Sequence, residues 1–259
     1  MVSASVEPSQ ASRQETLDAI GDRIERLTWM LADCRDGVVD PEEAIKAIKI
    51  DVHGIKSMGN ASGFQVIAVY AHRLEDYLGH VARLSDGSHL DDVQTFLDRI
   101  QEATEQDLDV GSDEIAELVR KLPSHAAAGF NVEDVVVTNV EVMLVVPGGV
   151  AGKMVAQELR ECGYRVVSVA DPFEAMQFVI STKPDAVIVS AILERLDGVD
   201  LACALKAMPS TRNMPVAILT SLDQGDERLK FLPASVPLLH KGASFADDVA
   251  EAFAKMKII

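Results

Sequence analysis

Between residues 142 and 241 the chain reads as five short apolar runs: VMLVV (142–146), RVVSVA (165–170), DAVIVS (185–190), PVAILTS (215–221) and VPLLHK (236–241). Runs of this length, almost continuous in Val, Ile and Leu, suit parallel strands covered on both faces; a strand with one wet face would alternate apolar with polar. The intervening segments, near 151–162, 172–181, 199–208, 226–231 and 245–256, predict helices. Five strands in βα alternation within about 120 residues predict an α/β unit at 141–259, a doubly wound parallel five-stranded sheet.

Upstream the rhythm is different. Leu17, Ile20, Ile24, Leu27 and Leu31 recur at steps of three and four, as do Ile45, Ile48, Val52 and Ile55. Phe64, Ile67, Ala71, Leu74, Leu78 and Val81 form a third stripe, and Leu90, Val93, Leu97 and Ile100 a fourth. Each is the buried stripe of an amphipathic helix. Short connectors separate them: Asp36-Gly37 ahead of Pro41, the segment from Gly59 to Gly63, and 85–88. Pro41 suits the first turn of its helix, with Asp40 as N-cap. Four such helices with short loops predict an antiparallel four-helix bundle over 13–122, including a further short helix from Asp113 to Leu122. Residues 1–12 then form a flexible tail and 123–140 a linker, in which Val135 to Val137 offer an extra strand.

At 259 residues and 48% hydrophobic composition the chain can supply two buried cores. A net charge of -17 argues against nucleic-acid binding, which demands a basic surface. No apolar run approaches the ~20 residues of a membrane span, and the opening MVSASVEPSQ lacks the apolar core of a signal peptide, so a cytoplasmic protein is expected. Cys34, Cys162 and Cys203 are far apart and odd in number, which suits free thiols in a reducing compartment. No His, Cys or carboxylate cluster has zinc or calcium spacing, and no metal site is expected.

One helix carries a pattern with chemical content. His53, in DVHGIKSMGNASGF (51–64), is one step off its apolar stripe and about 100° round the helix, at the edge facing water. Lys46, Lys49 and Lys56 lie on roughly the same face, with Asp51 the one acid nearby. An imidazole nitrogen beside ammonium groups suits acceptance of a phosphoryl group. Gly54 and Ser57 have little side chain, leaving room for a partner's active site to approach. His72 on the third stripe, next to Arg73, Glu75 and Asp76, reads as part of a solvated face.

The arrangement of His53, Lys56, Ser57 and Gly63 resembles histidine phosphotransfer (HPt) domains, whose phosphoacceptor helix reads H-x-x-K-(G/S) with a glycine ten residues after the histidine. The resemblance covers residues 13–122 and implies the same four-helix architecture. It implies that His53 is the nucleophile, that Lys56 and Lys49 neutralise the phosphoryl charge, and that Gly63 lets the next helix start close by. Met58 and Phe64 are candidates for the apolar docking surface.

The second half resembles the receiver domains of response regulators, which have a flavodoxin-like sheet. In those domains an acidic pair follows the first strand, a phosphoacceptor aspartate ends the third, a Thr or Ser ends the fourth and a lysine ends the fifth. Thr220 and Lys241 match the last two. Pro147 and Gly148 stand where the acidic pair belongs and Ser190 where the aspartate belongs, while Gly242 replaces the usual proline and Leu238 the usual aromatic. Magnesium demands carboxylate oxygens, and these positions offer none. The resemblance therefore implies a pseudo-receiver without aspartyl phosphorylation; Asp185, Glu194 and Asp197 read as strand-start and loop residues. The Pro147-Gly148-Gly149 segment reads as a tight turn.

Together these readings describe a phosphorelay intermediate, a phosphocarrier needing no cofactor of its own because Mg²⁺ comes with the partner receiver. Its partners are receiver domains or a hybrid histidine kinase, and the last helix and strand offer a surface for a homodimer. The alternative is a non-catalytic adaptor in which both halves only bind. A histidine kinase fragment is a poor third reading, since the sequence has no glycine-rich ATP-binding segment.

Overall fold

The computed structural model describes residues 10–84, 87–106, 108, 110–124, 139–223, 225–242 and 245–258. The chain divides into two compact units between Pro123 and Ser124. His125, the strand expected at 135–137 and most of the linker lie outside the described residues, as do residues 1–9 of the expected tail.

The first unit contains α1 (Gln10–Arg35), α2 (Pro41–Ser62), α3 (Gln65–His80), α4 (Gly87–Glu105) and the short α5 (Ser112–Arg120). The four longer helices close a ring: α1 packs on α2 and α4, and α3 on the same two. Helix α1 begins at Gln10, so residues 10–12 are helical and not tail; Gln10 and Ala11 are good helix formers, and the Thr16 hydroxyl donates back to the Ser12 carbonyl. Ile20, Leu27, Ile48, Ile55, Ile67 and Leu74 are fully buried, each contributing ~1.5–3 kcal/mol. Asp40 caps α2 by accepting from the Glu42 and Glu43 N–H groups, with Pro41 next in the first turn. Gly63 ends α2 in the left-handed region, φ 76°, and the Phe64 N–H bonds the Gly59 carbonyl, folding the chain directly into α3.

Helix α3 departs from expectation. It packs against α2, α4 and α5, and its residues from Val66 to Leu74 are buried without a break. His72 and Arg73 are therefore interior, not part of a solvated face.

The second unit is a five-stranded parallel sheet of flavodoxin-like order, β2-β1-β3-β4-β5, flanked by helices. Its elements are β1 (Glu141–Val145), α6 (Val150–Glu161), β2 (Arg165–Val169), α7 (Pro172–Thr182), β3 (Ala186–Ser190), α8 (Gly198–Ala207), β4 (Val216–Thr220), β5 (Leu238–His240) and α9 (Phe245–Met256). Val142, Leu144, Ile188, Ala217, Leu219 and Leu239 join one core with Ala156 and Leu159 of α6 and Phe245, Val249 and Phe253 of α9. The alternate residues Met143, Val145, Val187, Val189 and Ile218 point to the opposite face and are equally buried. Burial on both faces explains why the runs do not alternate.

The helical stretch expected at 226–231 is a 3₁₀ helix, Glu227–Phe231. Asp226 caps it through the Arg228 N–H, while Pro233 disfavours helical backbone at Leu232 and stops it there. None of the three cysteines is in a disulfide. Among the described residues no helix is long and apolar enough to cross a membrane.

The start of α8 approaches the end of β3 so closely that a Cβ on Gly198 would lie 1.8 Å from the Ser190 carbonyl oxygen. The expected outcome is that Gly198→Ala destabilises the sheet unit by about 3 kcal/mol or more. Gly148→Ala, with open space at its Cβ position, changes it by no more than about 0.5 kcal/mol. Urea unfolding of both variants followed by near-UV and far-UV circular dichroism checks the contrast.

Candidate functional site

Helix α2 buries Ile48, Val52 and Ile55 completely, and this anchoring turns His53 outward, with its side chain 64% exposed. The ring is nevertheless held. Glu75, reaching across from α3, places Oε1 2.9 Å from His53 Nδ1 and Oε2 2.6 Å from Lys56 Nζ. An ionised carboxylate can only accept, so Nδ1 carries the proton in this contact. In the neutral ring Nε2 then keeps its lone pair as the reactive nitrogen. One carboxylate thus sets the tautomer and orientation of the imidazole and also neutralises the neighbouring lysine.

Lys56 lies deeper than the helical pattern implied: the residue is 9% exposed and its ammonium group sits against Glu75. The pattern could show which face Lys56 shares, but not that α3 covers it. Lys46 is exposed and Lys49 half-buried. Ser57, one turn on, is exposed, and Gly63 serves as the α2 cap described above. Of the expected docking residues, Phe64 is core, 3% exposed, with the Arg13 guanidinium over its ring; Met58 is half-buried. The large apolar residue exposed beside His53 is Ile50, one turn earlier.

Gly54 does not leave open space for a partner. A Cβ there would lie 2.7 Å from Nη1 of Arg23, which comes across from α1. Arg23 donates to Asp51 Oδ1 at 2.6 Å, and Arg26 donates to the other oxygen at 3.1 Å. Glu75, Ile50 and Arg23 are the residues of this site that spacing within α2 did not reveal.

One turn of α3 before Glu75, burial holds the His72 imidazole well below its ordinary pKa of 6.5, reinforced by the positive charges of Lys56 and Arg73. This ring is interior, whereas that of His53 is exposed.

In the sheet unit, Pro147, Gly148, Ser190 and Lys241 meet around a cavity of about 330 Å³ at the carboxyl ends of the strands. That is where open α/β sheets place ligands, at the point where the strand order reverses between β1 and β3. Ser190 is buried and donates to the Ile192 carbonyl. Thr220 is buried too and accepts from the Leu222 N–H, while its carbonyl accepts from the Lys241 N–H. Among the described lining residues there is no carboxylate, so the donor set does not fit magnesium. Asp185 binds the Glu141 N–H at the far end of the strands, and Asp197 precedes α8. Among the described residues no group of three or more His, Cys, Asp or Glu is placed to hold a metal ion.

No protein-family model matches the chain. Over 76 residues it is 34% identical to transcriptional regulatory protein PrrA of Mycobacterium leprae, covering 29% of this chain and 32% of the relative. Over 72 residues it is 32% identical to the response regulator MprA of Mycobacterium ulcerans, covering 28% and 30%. The chain thus spans about a third of the length of these curated relatives. Among solved structures it is similar to the receiver domain of sensor histidine kinase PA1611 from Pseudomonas aeruginosa, at 26% identity over 46% of this chain and 98% of that one, with a TM-score of 0.41. The likeness is to receiver domains and response regulators of two-component systems.

Because His72 has a lowered pKa when folded and an ordinary one when unfolded, the unfolded chain binds the extra proton in the window below about 6.5. Its stabilising contribution is complete above that pH and is lost as pH falls through the window. Denaturation at pH 7.5 and pH 5 is expected to show a larger loss of helical-unit stability for the native chain than for His72→Leu.

Proposed function

We propose that the helical unit is a histidine phosphotransfer module with His53 as phosphoacceptor, and that the sheet unit is a receiver-like module that serves in protein interaction or regulation without being phosphorylated. The observation that carries this reading is the contact of Glu75 with Nδ1 of an exposed histidine, which in the neutral ring makes Nε2 the nitrogen that bears the lone pair.

The chemistry balances without an added base. The Nε2 lone pair attacks the phosphorus of a partner's aspartyl phosphate, the N–P bond forms, and the P–O bond breaks with its electrons leaving on the aspartate carboxylate. The Nδ1 proton stays where it is. The ring becomes a phosphorylated imidazolium whose positive charge is offset by Glu75 at 2.9 Å. Reversal passes the group to a second receiver aspartate. The chain is a carrier in this reading and has no net turnover of its own. Receiver domains, free or within a hybrid histidine kinase, are the partners, and any divalent ion is held on their side.

The carboxylate-free cavity favours the second reading, in which the chain is a binding adaptor in both halves. The two differ in a single experiment with a phosphorylated partner receiver. Transfer predicts label on the native chain, none on His53→Gln, and a transfer rate for Glu75→Gln reduced roughly 10- to 100-fold by loss of ring orientation. Partners that bind the native chain but never label it leave the adaptor. Separately, acetyl phosphate with Mg²⁺ is expected to put no phosphoryl group on Ser190 or any acid of the sheet unit, as read by mass spectrometry.

A further inference from the structure

Beyond assigning His53, the geometry raises the question of which cation meets the phosphoryl group. Lys56 is poorly placed for it, being buried and within 2.6 Å of the Glu75 carboxylate. We propose that Arg23 of α1 is the residue that binds the phosphoryl group on His53, so that the site is assembled from α1, α2 and α3 together. The proposal rests on His53 being the phosphoacceptor.

Three observations support it. The Arg23 guanidinium lies against α2 at Gly54, the residue next to His53; a Cβ there would stand 2.7 Å from Nη1 and 3.0 Å from Cζ. Only glycine admits the guanidinium this close to the helix backbone. Around α2, Lys56 is displaced from His53 toward α3 and Gly54 toward α1, so the imidazole stands between Glu75 on one flank and Arg23 on the other. Finally, Asp51 orients the guanidinium through Nη1 at 2.6 Å while the Arg23 side chain remains 33% exposed. That contact engages one of five N–H groups in a planar fork suited to bidentate phosphoryl binding.

The test uses the full chain and phosphoramidate. Nε2 attacks phosphorus, the P–N bond of the donor breaks, and ammonia leaves with the electron pair. Phosphorus NMR reads the rate of phosphohistidine formation and the pH midpoint at which the dianionic bound group takes up a proton. Arg23→Gln is expected to slow labelling about 10-fold and to move that midpoint upward, because a nearby cation favours the dianion. Arg23→Lys should restore the midpoint and part of the rate. Arg35→Gln, which removes an equal charge from the same helix at the exposed pair with Asp91, should behave as the native chain. The midpoint separates phosphoryl binding from the mere tethering of α1 to α2. Label on His53 with an unchanged rate and midpoint in Arg23→Gln overturns the role of Arg23 and leaves the phosphoacceptor reading standing. No label on the native chain from phosphoramidate or from a phosphorylated receiver overturns both.

Discussion

A carboxylate shared between an imidazole and a buried ammonium organises the helical unit's site. Lys56 loses most of its water on folding, and an ammonium so placed needs a partner; without Glu75 its desolvation would oppose the packing of α2 on α3. The same requirement fixes where Glu75 must be, and Glu75 in turn fixes His53. The exposed residue therefore inherits its orientation from an interior constraint. An unconstrained surface histidine would sample both tautomers and several rotamers, and a nucleophile that must meet a partner's phosphorus gains from having neither freedom.

Much of the fold was legible because it rests on periodicity. The four apolar stripes are buried, and the five strand runs lie in a parallel sheet, within a residue or two of where they were read. Legibility ended where one element reaches another. Within α2, spacing relates His53 to Lys56, but nothing in α3 says that Glu75 and not Asp76 turns toward α2. The polar run from His72 to Asp76 looks like a wet face only because His72 and Arg73 are types seldom buried. Gly54 was equally opaque: a glycine beside a nucleophile suggests open approach, whereas its function in the fold is to seat Arg23. Capping was readable for the opposite reason, since Asp40-Pro41 satisfies the α2 N-terminus from within four residues of chain.

The sheet unit makes a related point about what a fold needs. Its stability comes from Val, Ile, Leu and Phe on the two sheet faces and from the close fit of Gly198 against the Ser190 carbonyl, none of which requires a carboxylate at the strand-end cavity. Carboxylates at that cavity would be a cost to folding, since like charges gathered at one site repel unless a cation joins them. With Pro147, Gly148 and Ser190 at the cavity there is no such repulsion. The packing that makes the sheet unit is thus independent of the chemistry its cavity can hold.

Charge presents the remaining physical problem for the proposed transfer, in which a dianionic phosphoryl group approaches a chain of net charge -17. Its resolution is spatial. In the ring of helices α4 stands diagonally across from α2 with five acids, Asp91, Asp92, Asp98, Glu102 and Glu105, whereas α1, which packs on α2, sets its five acids against four arginines, Arg13, Arg23, Arg26 and Arg35. Neighbouring axes 8–10 Å apart put that diagonal at roughly 11–14 Å. At physiological ionic strength the screening length is ~8 Å, so the α4 acids are damped at His53, while Arg23 lies against the adjacent Gly54. The pairing of Arg23 and Arg26 with the single carboxylate of Asp51 leaves that edge of α2 positive. The site therefore draws positive charge from its immediate neighbours, and in this it depends on α1 as much as on the helix that bears the histidine.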